Sequence, residues 1–190
     1  MDGISPLWIV LGVVALILII FIVIYNRLVS LRQGRENAFA DIDVQLKQRH
    51  DLIPNLVGAV KGYMDHESNV LIRVTEARQK CMMATSIDDK IKAEATLTAA
   101  ISGFNMQMEA YPDLKASSNM QQLQGELSDI ENKLAAVRRF FNSATREFNT
   151  AVQKFPNNII AGMFGFRTAE FFDVGVDERQ RLDKAPEVKF

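Results

Sequence analysis

Few side chains in this sequence carry the chemistry of catalysis or metal binding, and their spacing limits what they can do. His66-Glu67 begins the pattern of a zinc metalloprotease, but that pattern needs a second imidazole one turn later on the same helix face, and position 70 is Val70. His50 is remote in sequence, and the carboxylate and Glu-x-x-His constellation of a di-iron bundle does not occur. No metal and no cofactor is therefore expected. Asp41 and Asp43 stand two apart, which on a helix sends the carboxylates to different faces, so they make no catalytic dyad. They read as a solvated face or as contact groups, with Asp43 and Lys47 in the favourable i,i+4 order. Arg138-Arg139 reads as part of a polar helix face. Cys81, the single cysteine, cannot close an intramolecular disulfide; it fits a reducing compartment and reads as a packed helix residue without an activating partner. With no phosphate loop, nucleophile elbow or kinase signature, the expectation is a protein that is not an enzyme.

The elements that would position these groups are legible as helices. Residues 7–25 form an uncharged apolar run in which fifteen of nineteen positions are Leu, Ile, Val or Phe. As a helix it is roughly 28 Å long, close to the hydrocarbon thickness of a bilayer. It lacks the cationic start and the cleavage site of a secretion signal, so it reads as a retained anchor. Arg27, Arg32 and Arg35 follow the run and no Lys or Arg precedes it, which puts the N-terminus outside and the rest in the cytoplasm of a bacterial inner membrane protein. About 165 residues remain beyond the anchor, the size of one ordinary domain. With a net charge of −1 and no basic block, nothing in the charge balance recruits nucleic acid or an anionic membrane surface.

A second pattern follows the anchor: Leu28, Leu31, Ala38, Ile42, Leu46, Ile53, Leu56, Val60, Met64, Leu71, Val74 and Ala77 are mostly three, four or seven apart. The anchor should continue as helix, with a kink or break at Pro54, before which Asp51 could cap a restart. Ser86 and Asp89 stand in capping-box spacing ahead of a third helix that ends at Tyr111-Pro112-Asp113. The strongest periodicity runs from Met120 through Leu123, Leu127, Ile130, Leu134, Val137, Phe141, Ala144, Phe148 and Ala151 to Phe155, an alternation of three and four that predicts one coiled-coil-like helix roughly 50 Å long. Ser117 or Ser118 would start it and Pro156 stop it. A short fourth helix is expected within 157–172, then an extended or disordered tail over 173–190. The predicted class is all-α: residues 1–6 as a short outer terminus, 7–25 as a transmembrane helix, and 26–172 as an antiparallel up-down bundle.

The stretch from Ala40 to Val57, Ala-Asp-Ile-Asp-Val-Gln-Leu-Lys-Gln-Arg-His-Asp-Leu-Ile-Pro-Asn-Leu-Val, closely resembles the LemA family. Tyr25-Asn26 after the anchor, Ala110 to Ala116, Ile130-Glu131-Asn132, Phe141-Asn142 and Phe155-Pro156 agree as well. Phe39 stands where the family commonly has Trp, Met120 where Phe is frequent, and Phe141 where Tyr is common. The resemblance covers the chain from the anchor to about Phe172. It implies a bacterial single-pass membrane protein with a helical-bundle domain and no known enzymatic activity, and it suggests an HtpX-type membrane zinc metalloprotease as a partner.

An anchored, near-neutral helical bundle without a catalytic constellation, and the family it resembles, both point to a membrane scaffold or adaptor that self-associates as a homo-oligomer and binds an integral membrane protein. The candidate contact residues are Tyr25, Asn26, Arg32 and Arg35 at the membrane boundary, with Asp41, Asp43, Arg49, His50 and Asp51 beyond them. The alternative is a protein that binds or remodels the lipid surface through its apolar 159–172 segment. There Ile159, Phe164, Phe166, Phe171 and Phe172 are the candidate membrane-surface or subunit contacts.

Overall fold

The computed structural model describes residues 6–61 and 68–172. Six helices occur there in the order α1 (Pro6–Val60), α2 (Ser68–Met83), α3 (Ile87–Met108), α4 (Pro112–Ala116), α5 (Ser118–Gln153) and α6 (Asn157–Met163), and no strand is found among the described residues. The fold is all-α. His66 and the 173–190 tail lie outside the described residues, as does the expected outer terminus except for Pro6.

Two compact units divide the chain. Among the described residues, one comprises those up to Phe39 with Phe140–Phe171 and the other those from Ala40 to Arg139 with Phe172, so α1 and α5 each contribute to both.

In the second unit, α1, α2, α3, α4 and α5 share a core built on Ile53, Leu56, Val74, Leu97, Phe104, Leu114 and Met120. The helix boundaries follow local chemistry. Ser86 caps α3 by accepting the Asp89 amide at 3.1 Å, as the capping-box spacing predicts. Ser117 Oγ accepts the Met120 amide at 3.4 Å at the start of α5. Asp43 pairs with Lys90 and His50 with Glu94, so α1 and α3 run in the same direction, with α2 as the intervening helix.

In the first unit, Leu28 of α1 packs with Phe148, Ala151 and Val152 of α5 and with Ile160, Ala161 and Phe166. The chain leaves α5 through a cis Phe155–Pro156 bond. Gly165, at φ 72°, ends α6 in the left-handed region, and the Phe166 amide reaches back to the Ala161 carbonyl at 2.9 Å, the long bond of a Schellman motif.

Three expectations need correction. The helix does not break at Pro54: α1 runs through it. The helical pattern of 28–77 falls in two helices among the described residues, α1 to Val60 and α2 from Ser68. Finally, the buried stripe of α5 does not keep a strict heptad. It follows Met120, Leu123, Ile130 and Leu134; beyond these Phe141, Phe148 and Ala151 keep the expected positions, but Arg138, Thr145 and Val152 are buried beside them and Phe155 is exposed. Two successive steps of four, Ile130 to Leu134 to Arg138, are a stutter, which locally relaxes the supercoil a pure heptad would impose. Arg138 is accordingly buried, its guanidinium 4.6 Å from the Phe172 ring centroid, instead of sitting on a polar face.

Candidate functional site

A buried charged cluster lies where α1, α2, α3 and α5 meet in the second unit. Arg49 occupies the apolar stripe of α1 between Leu46 and Ile53 and is 1% exposed, while Glu94 takes the same kind of position in α3 between Ile91 and Leu97. Arg49 Nη1 meets Glu94 Oε2 at 3.2 Å, Arg49 Nη2 meets Glu131 Oε1 at 2.7 Å, and both nitrogens donate to Thr98 Oγ1 at 3.2 Å. The second Glu94 oxygen lies 2.5 Å from His50 Nε2. Two charges withdrawn from water cost several kcal/mol each, and multiple charge-assisted hydrogen bonds are what offsets that cost.

The same cluster explains why α1 survives its proline. Pro54 has no amide to donate to the carbonyl four residues back, which is that of His50. Arg78 of α2 donates its Nε–H to that carbonyl at 2.7 Å. Pro54 itself is exposed while Ile53 and Leu56 beside it are buried, so the ring points to solvent and the helix keeps its packing face.

His50, Cys81 and Glu94 bring their ligand-type atoms within 4.8 Å of one another. A nitrogen, a sulfur and a carboxylate oxygen form a donor set that suits zinc, and sequence spacing missed it because the three come from three helices. Burial, reinforced by the Glu94 carboxylate, pushes the Cys81 thiol from 9.0 up to about 12, so it remains protonated and is no nucleophile at neutral pH. Burial opposes the Glu94 charge, but the His50 hydrogen bond, the His50 charge and Arg49 outweigh it and hold the carboxyl below the usual carboxylate range. Both Glu94 oxygens have partners on α1, Oε2 in Arg49 and Oε1 in His50. The arrangement pairs Arg49 of α1 with Glu94 of α3 and Glu131 of α5.

The first unit has its own polar anchor. Arg35, also buried on the α1 stripe, donates to Thr145 Oγ1 and to the Glu170 carbonyl, each at 3.3 Å, and lies over the Phe141 ring at 4.9 Å. Asn149 ties the segment after α6 to α5: its side chain accepts the Ala169 amide at 2.8 Å and donates to the Ala169 carbonyl at 3.0 Å. Around Tyr25 an aromatic group forms, with Phe164 at 4.8 Å and Phe166 at 6.0 Å between ring centroids.

The expected contact residues therefore separate into two kinds. Asn26, Asp41 and Asp51 are exposed, as is Arg32, which pairs with Glu36 at 4.0 Å and lies over Phe166. Asp43 is exposed and bonded to Lys90 at 2.6 Å instead of Lys47. Arg35 and Arg49 are buried, and Tyr25 and His50 are half-buried against their neighbours. A guanidinium enclosed by its own chain offers nothing to a partner, so Arg35 and Arg49 are packing residues. Likewise Ile159, Phe164 and Phe171 are exposed, whereas Phe166 and Phe172 are buried and cannot act as surface contacts.

Comparison with known proteins places these features in a group. The family model described as "LemA family" matches residues 38–190. "Protein LemA" of Metamycoplasma hominis is 26% identical over 83% of this chain and 73% of its own length. "Magnetosome protein MamQ" of Magnetospirillum gryphiswaldense is 22% identical over 90% of this chain and 74% of its own. "Magnetosome protein MamQ 2" of Paramagnetospirillum magneticum is 22% identical over 86% and 69% respectively.

Proposed function

The chain belongs to the LemA family, and from that membership we propose that it is a single-pass membrane protein without catalytic activity, which self-associates and engages an integral membrane partner. An HtpX-type zinc metalloprotease is the candidate partner the family resemblance suggests. The N-terminus lies outside a bacterial inner membrane and the helical domain in the cytoplasm.

One observation carries the reading. The start of α1 includes an eighteen-residue stretch of mean hydropathy 3.5, none of which is buried by the rest of the chain. Such a surface is stable in hydrocarbon and not in water. Confinement to a bilayer raises the effective concentration of each copy, so weak lateral contacts suffice for assembly. Asn26, Asp41 and Asp51, exposed on α1, are the groups for those contacts.

The test is purification of the full-length protein from its native membrane in mild detergent at native abundance, with particle mass and co-purifying proteins measured. A particle of several copies with a stoichiometric integral membrane protein is the expected result. A lone monomer, still unaccompanied after crosslinking in intact cells, would overturn the proposal.

A further inference from the structure

The end of α6 is held against the last turns of the apolar run. The Phe164 ring lies 5.7 Å from Phe21 and 4.8 Å from Tyr25 between centroids. Phe21 stands four residues inside the run's C-terminal end, a depth of about 6 Å along a helix.

The short helix that carries this contact has two faces. Ile160 and Ala161 turn into the core of the first unit, while Ile159 and Met163, one turn apart, are 55% and 68% exposed and Phe164 is 49% exposed. With seven residues α6 is far too short to cross hydrocarbon. An exposed apolar ridge beside a spanning helix has its natural place at the boundary between headgroups and acyl chains.

Charge selects the kind of lipid. No Asp or Glu occurs between Glu147 and Glu170, or between Leu7 and Glu36. Over the same two stretches Arg27, Lys154 and Arg167 are exposed. The two chain segments that meet at the ridge thus carry exposed cations and no acidic side chain, which complements an anionic leaflet.

We propose that Ile159, Met163 and Phe164 form an interfacial foot seated in the anionic leaflet on the C-terminal side of the span. The foot fixes how deep α1 sits and how it is turned, because an aromatic contact couples Phe164 to Phe21 and Tyr25. It rests on the reading that the apolar run crosses the bilayer.

Trp8, the single tryptophan, lies in that run and allows the two claims to be tested separately. The full-length chain is reconstituted in vesicles of equimolar phosphatidylcholine and phosphatidylglycerol, with acyl chains brominated just below the headgroup or at their ends. Trp8 in the native sequence reports insertion of the run. In a Trp8→Phe background, Phe164→Trp and, separately, Met163→Trp report the foot, the second guarding against disturbance of the Phe21 contact. The expected result is quenching of both new tryptophans by about half with shallow bromines, and protection from aqueous iodide. Quenching of Trp8 but not of residues 163 and 164 by lipid would overturn the foot alone. This holds whether iodide reaches them, meaning they face water, or does not, meaning another copy covers them. If Trp8 is not quenched either, the spanning reading falls first. Equal quenching in vesicles of phosphatidylcholine alone would overturn the selection of anionic lipid.

Discussion

Arg78 supplies the hydrogen bond that His50 loses to Pro54: its Nε–H reaches the His50 carbonyl at 2.7 Å, across from α2 to α1. A proline inside a helix usually kinks or ends it, and here a side chain from the neighbouring helix takes over the orphaned acceptor.

The relationship predicts a specific non-additivity. Arg78→Met should destabilise the protein by about 1–3 kcal/mol, the cost of a part-buried carbonyl left without a donor. In a Pro54→Ala background residue 54 regains its amide, and the same substitution should cost much less. Chemical denaturation of the four full-length proteins, followed by circular dichroism in detergent, measures the coupling; equal costs in both backgrounds would refute the account.

Glu94 links stability to acid. Its carboxyl is held below the ordinary 4.5 in the folded chain, so the unfolded chain binds its proton more readily. The stabilisation is complete above that ordinary value and is lost as pH falls toward and through the folded-state value. Glu94→Gln should remove this part of the acid dependence and leave Arg49 without its buried counter-charge, at a cost of about 3 kcal/mol at neutral pH. Thermal melts from pH 7 downward would show a curve for the variant that is lower and flatter than for the parent.

Cys81 should behave as a silent thiol. Buried and pushed up to about 12, it should resist maleimide and disulfide reagents at pH 8 and react at once when denaturant opens the second unit. Because its folded-state value is raised above 9.0, its contribution is present below that pH and declines between there and about 12. Rapid labelling of the native protein would show that the three-helix packing around it is wrong.

Asn149→Ala removes both hydrogen bonds that fasten Ala169 to α5. The cost should be about 1–3 kcal/mol, with faster amide exchange confined to residues 164–172 and unchanged exchange at Arg49 and Glu94.

These groups also show how far the sequence could be read. The gaps of seven in the apolar pattern of α1, Leu31 to Ala38 and Leu46 to Ile53, are where Arg35 and Arg49 lie buried. A charged residue in phase with the stripe was the available signal for a polar core. Sequence alone reads both as contact residues for a partner, because the groups they bind, Thr145, Glu94 and Glu131, stand on other helices at distances no local pattern reveals. The capping box at Ser86 was legible because both partners lie within one turn. The unbroken course of α1 at Pro54 is not legible for the opposite reason: the compensating donor stands 28 residues from the carbonyl it serves. The shift of the α5 stripe after Leu134 was hidden because Val137 and Ala144 satisfy the heptad by type although Arg138 and Thr145 carry the burial.

An entirely leucine-like seam would let a helix slip by two turns at little penalty, since one apolar side chain replaces another. Arg35 and Arg49 forbid that in their respective units. Moved by seven residues, either guanidinium would face hydrocarbon and abandon its acceptors, a loss large enough to reject the misaligned packing. The buried cations thus act as a key cut into an otherwise smooth helix, and they admit a single alignment.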